Sequence, residues 1–177
     1  MDRQPTLHGD KLHLRPLVAE DREALAGVAC DPLLWEQHPV PERAERDFFL
    51  AYFDQLLAKR GTLAVLAGRS GPIIGSSTYS NYRSEGEGAV EIGSTFLSRD
   101  YWGGDANREM KRLMLDRAFR FVALVEFLVG ADNHRSRGAL AKIGARQTDR
   151  VIEASHAGRT IPHIVYRIDR ADWLARR

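Results

Sequence analysis

The chain has 177 residues, 44% of them hydrophobic and 28% charged, with a formal net charge of +2. These values suit one soluble globular domain spanning residues 1–177, and the weak, scattered positive charge argues against nucleic acid as a partner. The lone Cys30 excludes a disulfide framework and a Cys-based zinc site, and no run of about 18 apolar residues offers a transmembrane helix. The opening MDRQPTLHGDK has no apolar signal region, so the expected location is cytoplasmic.

In chain order, Lys11–Arg15 alternates with Leu12 and Leu14 inward, and Pro16 ends that strand. Glu20–Ala29 carries Leu25 and Val28 at helical spacing behind two first-turn acids. Residues Pro32 to Pro41 read as an irregular loop holding Trp35 and His38. A second helix is predicted from Pro41 to before Gly61, with Ala44, Phe48, Tyr52 and Leu56 as its stripe and Phe49, Phe53 and Leu57 widening it. Thr62–Ala67 and Ile73–Tyr82 flank the turn Arg69-Ser70-Gly71-Pro72 and predict an antiparallel hairpin.

The polar turn Arg83–Gly88 leads into a strand over Ala89–Leu97, in which Val90, Ile92 and Phe96 share one face at period two. Trp102-Gly103-Gly104 then precedes a long helix with Met110, Leu113, Met114, Ala118 and Phe121 on its apolar side. Paired glycines before a helix leave backbone amides bare where the helix dipole favours a phosphate, so a phosphorylated cofactor is expected there. Leu124–Val129 is a short β-branched run typical of a buried strand. A short helix over Arg135–Ile143 follows, with Asp132 or Asn133 as its cap and Gly144 just past its end. Strands near Arg146–Glu153 and His163–Ile168 close the chain around the Gly158 loop. The order β-α-α-β-β-β-α-β-α-β-β makes Ala89–Leu97 and Leu124–Val129 parallel neighbours through the long helix, and the other pairs antiparallel.

Four segments in this order resemble the GNAT superfamily of N-acetyltransferases, in the branch that includes the ribosomal-protein N-terminal acetyltransferases. They are Leu12-His13-Leu14-Arg15-Pro16-Leu17 with Asp21, Val90-Glu91-Ile92-Gly93, Tyr101-Trp102-Gly103-Gly104 with Glu109, and Asn133-His134-Arg135-Ser136 with Lys142-Ile143-Gly144-Ala145. The resemblance implies an α/β fold, a single-domain mixed and splayed sheet of six or seven strands flanked by helices. It implies acetyl-CoA as cofactor, and an acetyl group moved to a primary amine by direct attack on the thioester. The acceptor is a peptide N-terminus or a small-molecule amine.

On that resemblance the backbone from Trp102 through Gly103, Gly104, Asp105 and Ala106 to Asn107 holds the coenzyme A pyrophosphate. Phe96 and Leu97 pair with the pantetheine arm as an added strand, and Asn133 contacts the same arm. Gly93 either marks the bulge that opens the splay or relieves packing under a helix. Asp105 stands where the family loop has glycine. A carboxylate about 5 Å from a pyrophosphate costs roughly 0.8 kcal/mol in a water-like dielectric and roughly 3 kcal/mol at an effective ε of 20. Asn107 departs from the usual Gly/Ala, and Leu140 replaces the tyrosine with which many members protonate the leaving thiolate.

An amine must be neutral to attack. An α-amino group of pKa about 8 loses its proton near pH 7.5 for under 1 kcal/mol, whereas a lysine at about 10.4 needs about 4 kcal/mol. Glu91 is the candidate base acting through a water, set against an ordinary outward strand Glu paired with arginine. Ser136 is a candidate donor to the thiolate, set against a plain first-turn serine. Trp35, His38 and Tyr79 are candidates for the acceptor pocket, with Trp35 alternatively a packing residue. No metal site is expected from the histidine spacing, and no triad or P-loop motif is present. Two other readings stand beside the enzyme: a CoA-binding protein without catalysis, and a protein-interaction module on the same fold. The apolar C-terminal strands leave a homodimer open.

Overall fold

The computed structural model describes residues 1–156 and 158–176, with the backbone alone at 156. Eight strands form one sheet: β1 (Leu7–His8), β2 (Leu12–Pro16), β3 (Thr62–Ala67), β4 (Ile73–Arg83), β5 (Ala89–Leu97), β6 (Leu124–Gly130), β7 (Arg146–His156) and β8 (Arg159–Asp169). Their spatial order is β1-β2-β3-β4-β5-β6-β8-β7. The count exceeds the expected six or seven because β1 adds a short hairpin to β2, closed by the Gly9 amide donating to the Leu12 carbonyl at 2.9 Å. A two-residue strand is too short to show a period.

The β5–β6 pair is parallel, as the crossover through the long helix requires, and the remaining pairs are antiparallel. The helices are α1 (Arg22–Ala29), α2 (Arg46–Ala58), α3 (Ala106–Ala118), α4 (His134–Lys142) and α5 (Arg170–Leu174). Two starts differ from expectation, since 3₁₀ turns at Ala19–Asp21 and Pro41–Ala44 precede α1 and α2. Helix α3 stops at Ala118, leaving Phe121 43% exposed outside its stripe. After α4, Gly144 takes φ +87°, a conformation that glycine adopts without steric cost. Among the described residues no helix is long and apolar enough to cross a membrane.

Each sheet face has its own core. On one side Leu12, Leu14, Val65, Tyr79, Val90 and Ile92 pack with Met110, Met114 and Leu140 from α3 and α4. On the other, Phe49, Tyr52, Phe53 and Leu56 of α2 pack with Leu25 of α1, Trp35 and Phe96. Phe96 is thus not on the face of Val90 and Ile92, contrary to the period-two reading. Ser76 pairs with Phe96 but Thr78 pairs with Gly93, so β5 spends three residues where β4 spends two. That β-bulge centres on Ser94, whose φ is +48°, and it inverts the in–out phase of the rest of β5. Gly93 flanks the bulge rather than holding its left-handed residue.

Candidate active site

The parallel ladder between β5 and β6 runs only over Ala89–Leu124, Val90–Val125 and Glu91–Glu126. Beyond it β5 stays with β4 as far as Leu97, and β6 stays with β8 as far as Gly130. The two strands part, and their facing edges lose strand partners along a V-shaped cleft. Unpaired edges of this kind accept an extended chain of amides.

Helix α3 begins at the mouth of that cleft. Among the described residues no acceptor takes the backbone amides of Gly103 through Arg108, and Asp105 at the cap position makes no side-chain cap. Gly103 has φ +72°, and a Cβ built on Gly103 or Gly104 meets nothing within 4 Å. A run of free amides beneath open space at a helix N-terminus is suited to a phosphate group.

Asp105 does not close over these amides. Its carboxylate is 54% exposed, pairs with Arg108 one helical turn on, and lies 3.6 Å from Lys11 Nζ. Two cations thus share one carboxylate, leaving the rim net positive. Trp102 donates its indole N–H to the Leu97 carbonyl at 2.9 Å and carries the Arg135 guanidinium 4.0 Å above its ring. The Leu97 carbonyl therefore anchors the loop, a use that the expected pairing with a cofactor did not include. The α3 start is tied to the sheet by Glu109, whose Oε1 accepts from the Lys11 amide at 3.0 Å and the Leu12 amide at 3.4 Å.

Glu91 occupies the last rung of the parallel ladder, half-buried, and its Oε2 accepts from Asn81 Nδ2 at 2.7 Å. Among the described residues it has no arginine partner of the ordinary surface kind. Beside it Glu126 accepts from Arg83 at 2.6 Å and Arg150 at 2.5 Å. Burial pushes the Glu126 carboxyl up, but those two guanidiniums outweigh it and hold the group below its ordinary range.

Across the cleft, Asn133 caps α4, its Oδ1 accepting from the Ser136 amide at 3.0 Å. Ser136 is a half-buried first-turn residue, so its backbone is explained by the cap and its hydroxyl is not. Leu140 is buried in the α3-side core and offers no proton.

Two of the three expected acceptor-pocket residues are core. Tyr79 is fully buried on β4, its hydroxyl donates to the Met114 carbonyl of α3 at 2.7 Å, and burial pushes its pKa well up. Trp35 is also buried, donating to the Ala29 carbonyl at 2.8 Å and packing on Phe96 with ring centroids 5.2 Å apart. Only His38 reaches the surface region, half-buried, with Nδ1 accepting from the Val40 amide at 2.9 Å. Next to it Arg43 is buried, its guanidinium 3.8 Å above the Tyr52 ring. Burial lowers its pKa from the arginine range.

Sequence reasoning passed over Lys111. It lies on the inner side of α3, 5% exposed, and its Nζ donates to Thr95 Oγ1 at 2.8 Å. The one available signal was its place four residues before Leu115 and seven before Ala118, within the buried stripe rather than outside it.

A family model, Acetyltransferase (GNAT) domain, matches residues 11–146. Among solved structures, the chain is similar to a GCN5-related N-acetyltransferase from Brucella melitensis, at 20% identity and TM-score 0.81, covering 97% of this chain and 81% of that one. It is similar to Mycobacterium smegmatis RimJ in complex with CoA-disulfide, at 18% identity and TM-score 0.70, covering 98% and 93%. It is also similar to a ribosomal-protein-S5-alanine acetyltransferase from Vibrio fischeri, at 17% identity and TM-score 0.68, covering 96% and 98%. At these identities the likeness is one of fold.

Proposed function

The chain belongs to the GNAT acetyltransferase family, an acetyl-CoA-dependent N-acetyltransferase, and from that premise we propose that its acceptor is the α-amino group of a peptide. The observation that carries the cofactor's placement is the row of unpaired amides from Gly103 to Arg108 at the end of the β5–β6 cleft. The donor set fits coenzyme A: free amides and a positive rim suit the pyrophosphate, and unpaired strand edges suit the amide-bearing pantetheine arm. When bound, acetyl-CoA supplies an activated acyl carbon.

In this reading the amides of Gly103, Gly104, Asp105, Ala106 and Asn107 hold the pyrophosphate, the expected Trp102 amide being already given to the Arg99 carbonyl at 2.9 Å, and the β5 backbone at Phe96 and Leu97 lines the arm. Glu91 takes the proton of the attacking amine through a water, oriented by Asn81. Its partner among the described residues is neutral, so its charge is not spent on an ion pair with any of them. The Ser136 hydroxyl donates to the departing thiolate from the first turn of α4, in the place Leu140 leaves vacant of a proton. Asn133 sets that turn. Outward pairing of Asp105 removes the main motive for a disabled cofactor loop.

The α-amino reading is supported by energetics and by likeness. A carboxylate acting through water is adequate for an amine of pKa about 8, for which deprotonation near pH 7.5 costs under 1 kcal/mol. The fold is also that of RimJ and of the ribosomal-protein-S5-alanine acetyltransferase. The test is a free-thiol assay with acetyl-CoA, comparing peptides with free and blocked N-termini against small amines and lysine side chains. Turnover confined to free peptide N-termini is the expected result, and faster turnover of small amines overturns the acceptor assignment. Ser136→Ala should lower the maximal rate, and an unchanged rate removes its role.

A further inference from the structure

Lys111 reaches from α3 to the point where the sheet opens. Its Nζ donates to Thr95 Oγ1 of β5 at 2.8 Å and stands 5.5 Å from the centroid of the Phe127 ring of β6. One amine therefore touches both walls of the cleft just past the last rung of their ladder, Glu91–Glu126. Burial there holds its pKa down to about 7.

The charged groups named next, on the elements packed around it, are engaged elsewhere. On α3, Arg108 pairs with Asp105, Glu109 holds the β2 amides, and Arg112 lies by Asp116. Glu91 of β5 and Glu126 of β6 are bound on the opposite sheet face, by Asn81 and by Arg83 with Arg150. On α4, Arg135 donates to the Leu34 carbonyl and Arg137 to the Ala131 carbonyl. No carboxylate among the described residues pairs with Lys111.

An ammonium has three donors, and Thr95 takes one. Thr95 Oγ1 is itself shared, 2.7 Å from Ser77 Oγ and 3.3 Å from the Gly93 carbonyl. A methionine of similar length would fill this space without the desolvation cost of a buried amine. The lysine is accounted for by an acceptor that arrives from the cleft.

We infer that Lys111 is a binding residue for the acyl cofactor, its Nζ donating to a carbonyl oxygen of the amide-bearing arm lying between β5 and β6. The inference rests on acetyl-CoA occupying that cleft as proposed above. A carbonyl partner favours the charged amine, so cofactor binding above neutral pH draws a proton from solution.

The experiment is calorimetric titration of coenzyme A into the wild-type protein and Lys111→Met at pH 8, each in HEPES and in Tris, neither of which carries a phosphate to compete for the loop. The different ionisation enthalpies of the two buffers report proton uptake. Wild type should take up most of a proton on binding, and Lys111→Met none, with affinity weakened roughly ten- to hundredfold, as for loss of a charged hydrogen bond. Binding by wild type without proton uptake overturns the role of Lys111 and leaves the cofactor site standing, and needs no variant to fold. Equal affinity in a folded Lys111→Met does the same. Absence of coenzyme A binding by wild type overturns both.

Discussion

Glu91 and Glu126 are register partners on adjacent parallel strands, so two carboxylates stand side by side on one sheet face. Their surroundings divide their roles. Glu126 is gripped by two guanidiniums, whereas Glu91 is bonded to a neutral amide. Of the two, the carboxylate without a cationic partner among the described residues is Glu91. Glu91→Gln is expected to lower kcat by about 10²- to 10⁴-fold, the usual range for a lost general base, with little change in coenzyme A affinity. Steady-state kinetics with a peptide acceptor, alongside calorimetry, checks both halves.

Glu126 should register in acid stability instead. Its folded pKa lies below the ordinary carboxylate value, so its contribution is present above the unfolded value and is lost as pH falls through the folded one. Arg150→Met removes one of its two partners and, because that arginine is 60% exposed and Arg83 remains, is expected to cost about 0.5–1 kcal/mol at neutral pH. The acid-unfolding midpoint, followed by circular dichroism, should move to higher pH.

The cofactor loop separates backbone from side chain. Gly103 sits at φ +72°, where a β-branched residue is strained. Gly103→Val is expected to weaken coenzyme A binding by about tenfold or more, on the order of 1–2 kcal/mol of displaced loop geometry. Asp105→Gly removes a carboxylate already paired outward, so affinity should tighten by no more than about fourfold, equivalent to ~0.8 kcal/mol in a water-like dielectric. A much larger gain would mean that Asp105 turns inward over the phosphate.

Lys111 makes the cofactor-free protein more stable in base. Its pKa falls from 10.5 to about 7 on folding, so between those values the unfolded chain holds a proton that the folded chain has released. Stability then rises with pH across that window, by about 1.4 kcal/mol per unit from this one group. Urea unfolding at pH 7, 8 and 9 measures the slope, and the difference between wild type and Lys111→Met isolates the lysine. Parallel curves would exclude a buried, deprotonating amine.

Tyr79 is placed as a core residue and should behave as one. Tyr79→Phe removes a buried hydroxyl from the Met114 carbonyl, expected to cost about 0.5–1.5 kcal/mol of stability. Turnover should be unchanged once the protein is folded. A selective rise in acceptor KM at unaltered stability would return Tyr79 to the acceptor pocket.

Apart from the two-residue β1 and the short α5, the order of strands and helices was legible in the amino-acid sequence, as were the parallel crossover and the glycine turn into α3, because each rests on local periodicity or on residues with special backbone freedom. So were the Gly144 stop and a cap at Asp132 or Asn133, of which the structure takes Asn133, since these are decided within one turn of helix. The tertiary structure alone decided the rest. The bulge at Ser94 moved Phe96 to the opposite face, since a one-residue insertion in a ladder depends on the partner strand and leaves no mark in the period. Tyr79 and Trp35 became core because their polar atoms found carbonyls on α3 and at the end of α1. The outward pairing of Asp105 is made in part by Lys11, 94 positions away along the chain but 3.6 Å away in space. Lys111 carries no signal in any motif, and its character comes from what surrounds it: walls from two other strands that strip it of water and, among the described residues, leave it one acceptor.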